Sequence, residues 1–139
     1  MTHQSLLYSP AALHSLARGI ERMTHLMGAT LGPQQGMIAN RIGPGRPELL
    51  TDSGLVARRV TQLPSPGEDV GAMLLRNMAQ QMHTRYQDGA ATACVLTGAM
   101  VREAVRVISA GANPMQLRQG ISQAVRVAGD ALAQHSQIP

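Results

Sequence analysis

The spacing of apolar residues predicts a long helix near the start of the chain. From Ser9 to Leu31 they recur every three or four positions, which places them on one helical face: Leu13, Leu16, Ile20, Met23, Met27 and Leu31. Ser9 is a favourable N-cap and Pro10 a favourable first helical residue. The helix is expected to end at Gly32-Pro33, because proline cannot continue the hydrogen-bond ladder.

The second half of the chain predicts three further helices. Residues Glu68 to Tyr86 begin with acidic side chains that suit the positive end of the helix dipole, and they carry a stripe of Val70, Leu74, Met78 and Met82. Residues Ala90 to Ala110 are apolar on two adjacent sides and are predicted to form the most buried helix. Gly111 is its expected C-cap. One apolar side of this predicted helix consists of Leu96, Met100, Ala104 and Val107, and the adjacent side consists of Cys94, Val101, Val105 and Ile108.

The last helix is predicted to start at Asn113-Pro114, an N-cap followed by proline at the first helical position. Its apolar stripe comprises Leu117, Ile121, Ala124, Val125, Ala128 and Leu132. Between the first two long helices, Met37–Ile42 and Glu48–Thr51 predict two short strands around a Gly-Pro-Gly turn, and Ser53–Val60 a short helix. The predicted fold class is therefore mainly α, a helical bundle with a small β-hairpin at about residues 37–51.

Composition narrows the class of protein. A length of 139 residues suits one domain, and 44% hydrophobic against 14% charged residues excludes disorder driven by charge. The net charge of +4 comes from scattered arginines, which favours a solvated surface over a nucleic-acid interface. No apolar run approaches the ~18 residues of a membrane span, so no membrane partner is expected and the cytoplasm is the predicted location.

The histidines and the single cysteine give little indication of a metal site or a catalytic nucleophile. No two of the five histidines have the i, i+4 spacing of a helical metal site, and a single cysteine excludes a cysteine-cluster zinc site. Cys94 lies in an apolar helix and is predicted to be a small core residue. The nine methionines are predicted to fill the core in a chain that has no Phe or Trp.

Two turns are better candidates for chemistry. One is Thr30-Leu31-Gly32-Pro33, where a helix ends, and the other runs from Gln87 to Thr92, where the next helix begins. Unpaired N–H groups at a helix start attract anions, and Asp88 could bind Mg²⁺ next to phosphate oxygens. An Asp-Gly pair before a helix is also a common turn and cap, so spacing alone leaves both interpretations open.

Four blocks of sequence, in order and with similar gaps, identify a family. They are Thr30-Leu31-Gly32-Pro33, Thr51-Asp52 with Val56-Ala57-Arg58, Asp88-Gly89-Ala90-Ala91-Thr92-Ala93, and the segment from Gly111 to Ile121 with Asn-Pro-Met inside it. Together the blocks resemble the group I chaperonins, the GroEL family, over almost the whole chain. They match the N-terminal part of the equatorial domain of that family.

The resemblance implies a site for ATP and Mg²⁺. In the family the first turn contacts the nucleotide, while the turn before the later helix cradles phosphates and its aspartate binds Mg²⁺. The residues implied here are Thr30, Leu31, Gly32, Pro33, Thr51, Asp88, Gly89, Ala90, Ala91 and Thr92, with Asp88 as the metal ligand and Asp52 as a further acid near the pocket.

The departures from the family pattern predict weak nucleotide binding. Gln87 replaces a glycine, Ala90 and Ala91 replace two threonines, and Thr51 replaces a lysine of the family motif. Each lost charge-assisted hydrogen bond is worth roughly 1.5–3 kcal/mol. Losing two hydroxyl donors therefore predicts affinity lower by on the order of a hundredfold or more.

The family also implies domains beyond these residues. Residues 1–139 correspond to the N-terminal half of an equatorial-type domain, without the intermediate and apical domains or the aspartate that activates water. The expected function is a share of an ATP/Mg²⁺ pocket and of ring contacts in ATP-dependent protein folding, with no hydrolysis by this chain alone. Expected partners are further copies or the rest of a ring, with unfolded clients bound only through the other domains. The alternative is a non-catalytic scaffold module that associates through apolar helices and no longer binds nucleotide.

Overall fold

The computed structural model describes residues 11–33, 36–41 and 43–136. Its elements are α1 (Ala11–Gly28), β1 (Ile38–Asn40), β2 (Glu48–Leu50), α2 (Ser53–Arg59), α3 (Pro66–Tyr86), α4 (Ala90–Ser109) and α5 (Pro114–His135). The mainly α class with a small antiparallel hairpin is confirmed. The predicted cap Ser9, the predicted first helical residue Pro10 and the predicted strand residue Ile42 lie outside the described residues. None of the described helices is long and apolar enough to cross a membrane.

The described residues divide into two compact units, one that ends at Glu103 and one that begins at Ala104. The first unit contains the core, which is built from aliphatic side chains, methionine, alanine and Cys94. Met23, Met27, Val56 and Cys94 are its largest fully buried side chains. The apolar face predicted for α1 is confirmed at Ile20, Met23 and Met27.

Two glycines let α1 and α3 approach at backbone distance. A Cβ atom on Gly19 would overlap the carbonyl oxygen of Glu68, and one on Gly71 would overlap that of Leu16. Glu68, in the first turn of α3, is buried at this crossing. Its Oε1 accepts a hydrogen bond from Arg18 Nε at 3.1 Å. Arg22 Nε lies 3.0 Å from Oε2, close enough for an ion pair but without the alignment of a hydrogen bond.

The face that α3 buries differs from the predicted stripe. Val70 and Leu74 are 56% and 55% exposed. The predicted stripe is therefore wrong at these two positions. The buried residues are Glu68, Gly71, Ala72, Leu75 and Ala79. Gly71 faces α1, where the two backbones are too close for a side chain.

The burial predicted for α4 is also wrong in part. Its buried residues are Ala90, Ala91, Cys94 and Gly98, all in the first half of the helix. Leu96 and Met100 are 59% and 47% exposed. The side that contains Cys94 and Val101 packs into the core, because its alanine and glycine positions permit close approach, and the Leu96 side does not.

The hairpin and α2 connect the first unit's helices. Ile38 pairs with Leu50 and Asn40 with Glu48, and Leu50 is buried in the core. Glu48 accepts two hydrogen bonds from Arg59 of α2, at 2.8 and 2.6 Å. These bonds lower the pKa of Glu48. The β2–α2 junction is therefore attached to the core by Leu50 and to α2 by an ion pair.

In the second unit, the end of α4 turns into α5. Gly111 has φ of +97°, and the N–H of Ala112 donates to the carbonyl oxygen of Val107 at 3.0 Å. The predicted N-cap is confirmed, since Asn113 Oδ1 accepts from Met115 N at 2.8 Å. None of the residues of α5 is buried, and its stripe is exposed at Val125 and Leu132 by 62% and 71%.

Candidate nucleotide-binding site

The register between α1 and α4 decides where the two candidate turns lie. A Cβ atom on Gly28 would lie 3.5 Å from Val95 Cγ2, and one on Gly98 would overlap the side chain of Thr24. Residue numbers rise along α1 as they fall along α4, so the two helices run antiparallel. The segment that follows α1 therefore emerges at the end where α4 begins. This places Gly32 and Gly89 at the same end of the helix pair.

A second contact brings the β2–α2 junction to the turn between α3 and α4. A Cβ atom on Gly54, in the first turn of α2, would overlap the imidazole ring of His83. His83 lies in the last turn of α3, and its carbonyl oxygen accepts from the N–H of Gln87 at 3.0 Å. Thr51 and Asp52 are thus linked, through Gly54 and His83, to the turn that contains Asp88.

The turn after α1 is built on a buried threonine. Thr30 is 7% exposed, and its hydroxyl donates to the carbonyl oxygen of Met27 at 2.7 Å. Its proton is therefore used to close the helix. Leu31, Gly32 and Pro33 are exposed, and Gly32 has φ of +120° with no atom within 4 Å of its Cβ position. The backbone of this turn is open to a ligand.

The turn before α4 combines two residues of positive φ with an exposed acid. Gln87 has φ of 60° and Gly89 of 78°, and Asp88 Oδ1 accepts from Gly89 N at 2.6 Å. The first backbone hydrogen bond into α4 runs from Ala93 N to the carbonyl oxygen of Gly89 at 2.9 Å. The three amides before Ala93 therefore have no intrahelical acceptor and can serve as anion donors.

Side chains in the first turn of α4 contribute little to these donors. Ala90 and Ala91 are 1% and 7% exposed, with Ala90 part of the core cluster, whereas Thr92 is exposed. The backbone is thus the main source of hydrogen bonds at positions 90 and 91. Thr92 has the one hydroxyl in this turn.

Asp52 has a structural role that the sequence analysis did not assign. Its Oδ1 accepts from Leu55 N at 2.8 Å and caps α2. Thr51 beside it is exposed. Asp52 therefore lies in the β2–α2 junction with one carboxylate oxygen already stabilising a helix start, and its role as a pocket acid stays a prediction.

The arrangement fits a metal that arrives with a phosphate ligand. In the described part of the chain no three His, Cys, Asp or Glu side chains come together. Mg²⁺ is commonly bound by one or two carboxylates, substrate phosphates and water. Asp88 supplies an exposed carboxylate next to unpaired amides, which suits that mode of binding.

Sequence analysis did not identify the residues at the contacts between these elements. These residues are Thr24, Gly54, His83 and Gly98. A glycine inside a helical pattern is a signal that could have indicated Gly54 and Gly98. Thr24 and His83 carry no such signal. Cys94 conforms to its prediction. It is fully buried, and burial raises the pKa of its thiol to about 11, so the reactive thiolate is scarce at neutral pH.

Comparisons with known proteins identify the family of this chain. The family model described as the TCP-1/cpn60 chaperonin family matches residues 23–139. The chain belongs to that chaperonin family. It is 38% identical over 136 residues to Chaperonin GroEL 3 of Acaryochloris marina (strain MBIC 11017), covering 98% of this chain. The alignment spans 25% of that relative's length. The resemblance drawn from the four sequence blocks is thereby confirmed, while the roles of individual site residues stay predictions.

Proposed function

We propose that this chaperonin chain contributes part of an ATP/Mg²⁺ pocket, and part of the ring contacts, to an ATP-dependent protein-folding machine. In this proposal residues 1–139 act as the N-terminal half of an equatorial-type domain. The observation that carries it is the antiparallel register of α1 and α4, which brings Gly32 and Gly89 to one end of the helix pair.

Each segment has a distinct task in the proposed pocket. The exposed backbone from Leu31 to Pro33 contacts the nucleotide, and the unpaired amides at the start of α4 bind phosphate oxygens. Asp88 binds Mg²⁺, for which its carboxylate must share or leave the bond from Gly89 N–H. Asp52 and Thr51 line the side of the pocket formed by the β2–α2 junction.

The pocket is proposed to bind weakly. The buried methyl groups of Ala90 and Ala91 offer no hydroxyl, and Thr51 offers no positive charge to a phosphate. Binding then depends on backbone amides, Thr92 and the metal. Hydrolysis is not assigned to this chain, because the water-activating aspartate implied by the family lies outside the matched blocks.

Titration of the ¹⁵N-labelled chain with ATP and Mg²⁺ tests the proposal. We expect shifts of the Gly32 and Gly89 amide signals with a Kd well above the micromolar range. Asp88→Asn removes the charge but keeps an oxygen that can accept from Gly89 N–H. It is expected to abolish the part of the amide shifts that depends on Mg²⁺. Asp130→Asn, an exposed acid of α5, is the matched control and should change nothing.

Two results would count against this assignment. Absence of any shift at both glycines at millimolar ATP would remove the nucleotide function. Submicromolar affinity would contradict the argument that the pocket has lost its side-chain donors.

A scaffold function is the second candidate, favoured by exposed apolar side chains. Val125 and Leu132 of α5, and separately Leu96 and Met100 of α4, are all about half exposed or more. Exposed apolar patches favour association. Light scattering distinguishes the two functions: oligomers that form equally with and without ATP, and in Asp88→Asn, favour the scaffold.

A further inference from the structure

The contact between Gly98 of α4 and Thr24 of α1 leaves no room for a side chain at position 98. A Cβ atom there would overlap Thr24 Oγ1 and lie 2.7 Å from Cγ2 and 2.9 Å from Cβ. Rotation about χ1 moves Oγ1 and Cγ2 but not Cβ, so a different rotamer of Thr24 cannot relieve the overlap. An added methyl group must therefore move one helix away from the other.

Gly28 provides an internal comparison on the same pair of helices. A Cβ atom on Gly28 would meet Val95 Cγ2 at 3.5 Å, which is an ordinary van der Waals distance. The helix pair thus tolerates a methyl group at the position nearer the turns. The tight contact lies farther from the turns, about two and a half helical turns beyond Gly89.

We infer that Gly98 is a positioning residue that sets the spacing between the turn after α1 and the turn before α4. The inference rests on the proposed function, because it matters only if both turns contact one ligand. Both turns are continuous with the helices that meet at Thr24 and Gly98. A helix displaced at this contact takes its turn with it, and displacements of ~1 Å are costly where groups must bind one ligand together.

Thr24 gives an independent sign that this contact is set by shape. Its Oγ1 is buried and has no hydrogen-bond partner within the described ranges. A buried hydroxyl without a partner is unfavourable, so the contact gains nothing from the polarity of Thr24. What the pair contributes is the short distance between the helix axes.

The test measures turn spacing and nucleotide binding separately. Spin labels on Leu31→Cys and Thr92→Cys, both at exposed positions, report the spacing without any nucleotide. Cys94 is left in place, since its fully buried thiol does not compete for the label. Binding is measured by titration of the unlabelled chain with ATP and Mg²⁺.

Three variants are compared with the parent chain. Gly98→Ala is expected to lengthen the distance between the labels and to weaken ATP binding about tenfold or more. Gly28→Ala, the matched control, should leave the label distance and the affinity unchanged. The double variant Gly98→Ala/Thr24→Gly adds a methyl group on α4 and removes the side chain that it would overlap on α1. It should restore the label distance and the ATP affinity of the parent chain.

The outcomes separate the inference from the function on which it rests. An unchanged label distance in Gly98→Ala overturns the positioning role, and so does a longer distance with unchanged affinity. If Gly98→Ala fails to fold, the double variant with Thr24→Gly still tests the inference. A label distance in the double variant that differs from that of the parent chain would overturn it. A parent chain that binds no ATP defeats the proposed function, while the label distances still test the role of Gly98.

Discussion

Gln87 ends α3 by donating its backbone N–H to the carbonyl oxygen of His83 at 3.0 Å while its own φ is 60°. It is the one non-glycine residue of positive φ within the described ranges. Left-handed backbone costs an L-residue with a Cβ roughly 1–2 kcal/mol, and glycine is the usual residue at this place in a helix end.

Gln87→Gly is therefore expected to stabilise the chain. Relief of backbone strain outweighs the larger conformational entropy of glycine in the unfolded chain, leaving a net gain of about 0.5–1 kcal/mol. Urea denaturation should show a higher midpoint at unchanged slope. Gln87→Ala keeps a Cβ and is the control, with no gain expected; equal effects of glycine and alanine would refute the strain argument.

The buried hydroxyl of Thr24 leads to a second stabilising substitution. Thr24→Val keeps the side-chain shape but removes an oxygen that has no partner in the described structure, for an expected gain of about 1 kcal/mol. Thr97→Val is the control, because that hydroxyl donates to Met78 Sδ at 3.3 Å and should not be improved by its loss. Thermal unfolding of both variants measures the difference, and a destabilised Thr24→Val would show that its hydroxyl is satisfied.

Local signals predicted the elements well because each depends on a few neighbouring residues. Asn113 and Pro114 start α5 as expected, and Gly111 ends α4 with positive φ. The predicted stripe of α1 is correct at Ile20, Met23 and Met27, which are large and lie on a single face. It is wrong at Leu31, which lies beyond the end of the helix and is exposed.

Packing partners could not be read from periodicity. On α3 and α4 apolar residues occupy more than one side, and the side that packs is the one with glycine and alanine, such as Gly71 and Gly98. Hydrophobic patterns favour large residues as core, whereas close backbone approach selects small ones. The four family blocks located the candidate turns, but the contacts of Thr24 and His83 that position them involve residues distant in sequence.

The buried thiol of Cys94 makes the free energy of unfolding depend on pH in the alkaline range. Burial raises its pKa from 9.0 to about 11, so between these values the unfolded chain releases a proton that the folded chain keeps. Stability is thus full below about pH 9 and falls as pH rises towards 11, by on the order of 2–3 kcal/mol. Chemical denaturation between pH 8 and 11 measures the slope, which Cys94→Ala should lack. An equal slope in that variant would assign the effect to other groups.

Glycines at helix crossings and glycines on open helix surfaces should respond to alanine in opposite ways. Gly19→Ala places a methyl group against the backbone carbonyl of Glu68, and overpacking of this kind typically costs about 1–3 kcal/mol or more. Gly129 of α5 has no atom within 4 Å of its Cβ position, so Gly129→Ala should stabilise the helix by about 0.5–1 kcal/mol through propensity alone. Far-UV circular dichroism during urea titration measures both, and Gly19→Ala with parental stability would show that α1 and α3 do not cross at backbone distance. Because the overlap at Gly19 is with backbone, no change of side-chain rotamer can absorb it, and the crossing itself must open.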